Sequence, residues 1–121
     1  MLPQNKTVME KSFNFSLEMI KPYKILLNEK EYVISKQLLR SSTSIGANIN
    51  EAGAAFSKSD FIHKMSIASK EAREARYWLM LLDKSQIVEF NYKDYLFKVE
   101  ELIKMLTAIV KTSQRNNKQA N

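Results

Sequence analysis

The sequence predicts an all-α protein, an antiparallel up-down-up-down four-helix bundle, and three observations carry that reading. From Ser57 onward, Phe61, Met65, Ala68, Ala72, Ala75, Leu79 and Leu82 recur at alternating steps of four and three, one apolar seam down a helix. Before Ser57, the residues Ile34, Leu38, Ser41, Ile45, Asn48, Ala52 and Ala55 repeat those steps. Folded back about a tight turn at Phe56-Ser57, the two seams mesh: Ala52 comes opposite Phe61, Asn48 opposite Met65, Ser41 opposite Ala72 and Leu38 opposite Ala75. Most of these pairs set a small residue against a larger one, which lets two helices approach closely. The third observation is a repeated start signal. Thr7, Asn28, Ser57 and Asn91 are each followed three residues later by an acid, Glu10, Glu31, Asp60 and Asp94. A capping oxygen with an acid in the first turn satisfies orphan N–H groups and meets the positive end of the helix dipole.

Taken in order, the first helix is expected over about 7–27, with Met9, Phe13, Ser16, Ile20, Tyr23 and Leu27 on its seam. Pro22 falls inside it and predicts a bend, because the apolar pattern continues in phase across it. The second helix is expected over about 31–55; its serine-rich middle, Ser41-Ser42-Thr43-Ser44, has poor propensity and needs tertiary support. Gly46 within it implies close approach of another helix. The third is expected over about 58–84. The fourth, over about 92–113, carries Tyr92, Leu96, Val99, Ile103, Leu106 and Val110 on its seam, with a frayed polar tail over 114–121. Short connections make neighbouring helices antiparallel within one domain.

Composition removes several classes of function. The 121 residues contain no cysteine, which excludes disulfides, thiol catalysis and Cys-ligated metal. The first residues lack the apolar run of a secretory leader, and the longest apolar run, from Tyr77 to Leu82, is far short of a membrane span. A cytoplasmic protein without membrane contact is the expectation. The net charge of +6 favours an anionic partner or simply keeps a small protein soluble.

Few residues offer chemistry. His63 is the sole histidine, and neither Glu-x-x-His nor His-x-x-x-His occurs. Glu71 and Glu74 share a face of the third helix, and Glu51 on the second can approach its start. Three carboxylates can bind a divalent metal, or they can pair with Lys64, Lys70, Arg73 or Arg76. The ion-pair reading is preferred, and no cofactor, metal or catalytic residue is expected. Ser41 and Asn48 occupy seam positions and read as buried polar residues that set register.

Two surfaces read as binding features. Lys104, Lys111, Arg115 and Lys118 follow steps of seven, four and three, so they share one face, and no acid occurs after Glu101. That is the pattern of a phosphate-tracking stripe, to which Arg73 and Arg76 are added as candidates. It is equally that of a solvated face complementing a helix C-terminus. Tyr77 and Trp78 point about 100° apart, and with Leu81 they make a second apolar stripe, a candidate subunit interface.

The segments EKSFNFSLEMIK, QLLRSSTSIGANINEA and SKSDFIHKMSIASKEAREARYWLMLL resemble the four-helix-bundle proteins encoded within intervening sequences of bacterial 23S ribosomal RNA. The likeness runs from about Glu10 to Ser113; Pro22 and Gly53 depart from the family pattern. It implies a ring-like homopentamer and a similarity to the accessory protein of diversity-generating retroelements, a basic pentameric bundle that engages a reverse transcriptase and nucleic acid. It implies no enzyme. The expected function is therefore a non-enzymatic homo-oligomeric scaffold that binds RNA or a ribonucleoprotein through its basic surface. The alternative is an oligomeric protein-interaction module without nucleic-acid binding.

Overall fold

Four helices, α1 (Pro3–Asn28), α2 (Ile34–Ala52), α3 (Lys58–Ser85) and α4 (Lys93–Ala120), account for nearly all of residues 3–120, the part of the chain that the computed structural model describes. Each packs on its neighbours in sequence, and α1 closes the square against α4, so α1 and α3 lie on one diagonal and α2 and α4 on the other. The all-α four-helix bundle is the architecture expected.

The seams of α2, α3 and α4 hold. Met65, Ala68, Ala72, Ala75, Leu79 and Leu82 are all fully buried on α3, with Phe61 partly buried at its start. On α2 the core takes Leu38, Ser41, Ile45, Ile49 and Ala52. Asn48 is only half-buried, and Ile49 occupies the core beside it. The Asn48 amide donates to the Ser44 carbonyl at 2.8 Å, and the buried Ser41 hydroxyl donates to Gln37 O at 2.9 Å. Both polar groups are satisfied inside their own helix, so neither reaches across to set register. Ion pairs do that instead: Arg40 meets Glu71 and Glu74, and Lys64 meets Glu51, which brackets the expected opposition of Ser41 and Ala72.

Helix α1 is rotated by one residue from the expected seam. The buried line is Val8, Ser12, Phe15, Met19, Pro22 and Leu26, while Phe13 and Ile20 are exposed and Leu17 lies beside them. One position is about 100° of rotation. Both lines are apolar, and the inner one wins through its small residues. Ser12 Oγ donates to Met9 O, and Ser16 Oγ donates to Ser12 O at 3.1 Å and across to Ser42 O on α2 at 3.3 Å. Opposite them stands Gly46, where an added Cβ would meet Ser12 O and Ser16 Oγ at 3.5 Å. That is ordinary contact, so α1 comes near Gly46 but leaves space for a methyl group. The helix runs without interruption through Pro22.

The helix ends also differ from the start signals. Ser57 works as expected: its Oγ accepts from Asp60 N at 3.0 Å, and Asp60 accepts from Phe56 N at 3.3 Å. Thr7 lies inside α1, because buried Asn5 and Val8 pack the preceding turn into the helix. Asn28 ends α1 rather than beginning α2. The Glu31 carboxylate caps α2, accepting from the backbone N–H groups of Val33, Ile34 and Ser35 at 3.1, 3.1 and 2.7 Å. Lys30, at φ 65°, closes α1 with the paired bonds of a Schellman turn, Glu31 N to Leu26 O and Lys30 N to Leu27 O. Helix α2 stops at Ala52, short of residue 55, and α4 continues through the expected tail to Ala120; Asn121 lies outside the described residues.

Candidate nucleic-acid interface

The groove between α3 and α4 is lined by three of the six basic residues singled out in the sequence, Arg73, Lys111 and Lys118, while Lys104 and Arg115 border none of its hollows. Because α4 stays helical to its end, Lys104, Lys111, Arg115 and Lys118 keep one face, all four are exposed, and none forms an ion pair among the described residues. Arg73 reaches over from α3, its guanidinium donating to Thr107 Oγ1 on α4 at 3.1 Å. Three hollows follow one another from this bridge toward the α2–α3 turn. The first, about 260 Å³, lies beside Arg73, Thr107 and Lys111 and shares Gln114 with the second. The second, about 340 Å³, is bordered by Ser59 and Lys118 and shares Ile62 with the third, of about 310 Å³. No Asp or Glu lines any of them.

From Arg73 to Ser59 this trough runs about 21 Å along α3 at 1.5 Å per residue. Its walls offer Ser, Thr, Gln and Asn side chains between cations, a donor set suited to phosphate oxygens. The contribution of α3, through Ser59, Ser66 and Ser69, escaped the sequence reading. Its only trace was small polar residues recurring beside the apolar seam. Arg76 sits half-buried one turn beyond Arg73 and borders none of the three hollows.

The carboxylates lie elsewhere. Glu71 and Glu74 both face α2, where Arg40 takes them, Nη1 to Glu71 Oε2 at 3.1 Å and Nη2 to Glu74. Their partner is Arg40, none of the four cations the sequence offered. Partial burial pulls the Arg40 pKa down, but the hydrogen bond to Glu74 and both acidic charges outweigh it and leave it raised. Glu51 pairs with Lys64 at 3.4 Å. Among the described residues no cluster of three or more His, Asp or Glu could hold a metal ion, and His63 is exposed on α3.

The aromatic pair of α3 divides its roles. Trp78 is half-buried against the core, and its Nε1–H donates to Glu74 at 3.1 Å. Tyr77 packs edge-on against it at 5.1 Å between ring centres and is exposed, as are Met80 and Leu81. A second exposed apolar stripe, Phe13, Leu17 and Ile20, lies on α1, and of these the sequence had placed Phe13 and Ile20 in the core. No helix among the described residues is long and apolar enough to cross a membrane.

Comparison with known proteins adds a lineage. The model of the family described as 23S rRNA-intervening sequence protein matches residues 4–108. Among solved structures, a protein of unknown function of the S23 ribosomal protein family from Bacteroides thetaiotaomicron VPI-5482 is 46% identical, with a TM-score of 0.84. The match covers 89% of this chain and 98% of that one. A search of curated proteins found no match. With the bundle, the residues that build it and a family model spanning most of its length in agreement, the chain belongs to the 23S rRNA-intervening sequence protein family.

Proposed function

We propose that this protein is a non-enzymatic, cytoplasmic, homo-oligomeric scaffold that binds RNA or a ribonucleoprotein along the α3–α4 groove. The observation that carries the reading is the acid-free trough flanked by unpaired cations. Four cations elsewhere on the bundle are tied to carboxylates, Lys11 to Glu101, Arg40 to Glu71 and Glu74, Lys64 to Glu51, and Lys98 to Glu18 and Asp94, so what sets the trough apart is the absence of acids from its lining. Unpaired charge beside a trough that no acid lines is available to a polyanion, and closing copies into a ring would concentrate it. A pentamer is the assembly the family resemblance implies.

The test is the salt dependence of binding. Replacing Lys104, Lys111, Arg115 and Lys118 by Gln is expected to leave the Tm nearly unchanged while lowering affinity for a structured RNA. The slope of log affinity against log salt is expected to shrink by about 3, the counterion release of four phosphate contacts. An identical slope in both proteins would assign these residues to solubility.

A second reading, an oligomeric protein-interaction module, is favoured by the exposed apolar residues Tyr77, Met80 and Leu81 on α3 and Phe13, Leu17 and Ile20 on α1. Sedimentation of Tyr77→Ser/Leu81→Gln against wild type tests the α3 stripe as the subunit contact. Wild type monomeric at micromolar concentration would remove the scaffold from both readings.

A further inference from the structure

The trough ends at the α2–α3 turn in a feature unlike the rest of its length. Its last hollow is lined by four apolar residues, Ala52, Ala55, Phe61 and Ile62, and by four polar ones. Those groups are Ser57 and Lys58 on one side and Ser113 and Asn116 on the other. Between the lining residues Ala55 and Ser57, Phe56 is fully exposed, at 101% of its reference area. The turn is held in this form by the Ser57–Asp60 cap, in which Asp60 accepts the Phe56 N–H. Cap and turn thus fix the backbone while the ring is left in solvent.

We infer that this end hollow receives an unpaired base of single-stranded RNA, with Phe56 as a stacking surface and the backbone running back along the α3–α4 trough. The inference rests on the groove reading and narrows it from polyanion to single strand. Charge complementarity names the occupant: the hollow adjoins the acid-free trough at Ile62, Lys58 lines the hollow itself and Lys118 lines the trough beside it. A volume of about 310 Å³ lies within the range of small-molecule sites. The Asn116 amide and Ser113 hydroxyl carry the donors and acceptors that meet a base edge. A base inside a duplex has both faces stacked and its edge paired, so only an unpaired base can present its face to the apolar side chains and its edge to the polar ones. An exposed aromatic beside a basic channel is the pairing by which proteins hold single strands without reading sequence.

The experiment compares three fluorescent probes of about 12 nucleotides, a length within the site sizes of single-strand binders. They are oligouridylate, a blunt duplex and an abasic strand that keeps the phosphates. Wild type is expected to bind oligouridylate about ten-fold tighter than the abasic strand, the scale of one or two stacked bases. Phe56→Ala is expected to erase that gap without changing affinity for the abasic strand, the Tm or the sedimentation coefficient, since the ring packs on nothing in the chain. A gap that survives in Phe56→Ala overturns the inference, as does a wild type that binds all three probes alike. In that last case a steep salt slope keeps the groove reading alone, whereas a wild type that binds no probe at low salt ends both. Phe56→Ala that sediments as a smaller species assigns the ring to a subunit contact and also overturns the inference.

Discussion

The Glu74 carboxylate on α3 accepts both from Arg40 on α2 and from the indole N–H of Trp78 one turn along its own helix. One acid thereby joins the α2–α3 register to the orientation of the only tryptophan. Arg40 also holds Glu71, so its planar fork serves two carboxylates that would otherwise repel each other. Arg40→Met is expected to lower stability by about 1 kcal/mol, the upper part of the range for partly exposed pairs because the geometry is a network. Urea unfolding followed by Trp78 fluorescence measures the loss and reports the changed indole environment together. A change below about 0.3 kcal/mol would make the network decorative.

Rotation of α1 separates two phenylalanines that lie two residues apart. Phe15 is 2% exposed and Phe13 61%. Phe15→Ala is expected to cost about 3–5 kcal/mol, as truncation of a buried ring does. Phe13→Ala is expected to cost under about 0.5 kcal/mol in the monomeric unit. Chemical denaturation of both variants decides the phase of the helix. The reverse order of losses would restore the seam through Phe13.

At Gly46 the space for a Cβ predicts a gain. Gly46→Ala is expected to raise stability by about 0.5–1 kcal/mol, the difference in helix propensity, because the new methyl meets Ser12 and Ser16 at ordinary contact distance. A lowered Tm would mean that α1 and α2 sit closer together than 3.5 Å at this point permits.

Tyr92 links stability to alkaline pH. It is fully buried, its hydroxyl donates to Val88 O at 2.9 Å, and its pKa is raised by burial first and then by the charges of Glu31 and Asp83. The fold therefore favours the neutral phenol. Its contribution is fully present below the unfolded tyrosine pKa of about 10 and is lost as pH rises through the higher folded value. Wild type is expected to lose stability above about pH 10 more steeply than Tyr92→Phe. Equal slopes in a pH series of thermal melts would exclude Tyr92 as the titrating group.

The sequence was legible where one apolar line dominated. On α3 the seam of alanines and leucines runs the length of the helix while the second stripe holds only Tyr77, Trp78 and Leu81, and every seam position from Met65 to Leu82 is buried as expected. On α1 two apolar lines compete, and the true one contains Ser12 and Pro22, which hydropathy counts against a core. Packing chose it because small residues admit α2, a property of the pair of helices and not of either alone. The basic half of the groove could be read from α4, since charge at helical spacing needs no partner to be seen. Its other half could not, because Ser59, Ser66 and Ser69 become donors to a groove only once α4 lies beside them. Arg40 was missed for a similar reason: its reach to Glu71 and Glu74 exists only across the folded hairpin.

The way α1 meets α4 sets the order in which the bundle comes together. Every other helix contact joins neighbours in sequence, whereas this one joins the two ends of the chain, and it is the thinnest of the four. Ion pairs span it, Lys11 to Glu101 at 2.9 Å and Lys98 to Glu18. Short-range contacts close cheaply and early, and the long loop is left for last. The α2–α3 hairpin then acts as the nucleus and the α1–α4 seam as the final latch, one whose charges are partly exposed and so are weakened by salt. Hydrogen exchange in α1 is expected to quicken between low and about 1 M salt while that of α3 barely moves. Equal changes in the two helices would return the latch to the body of the fold.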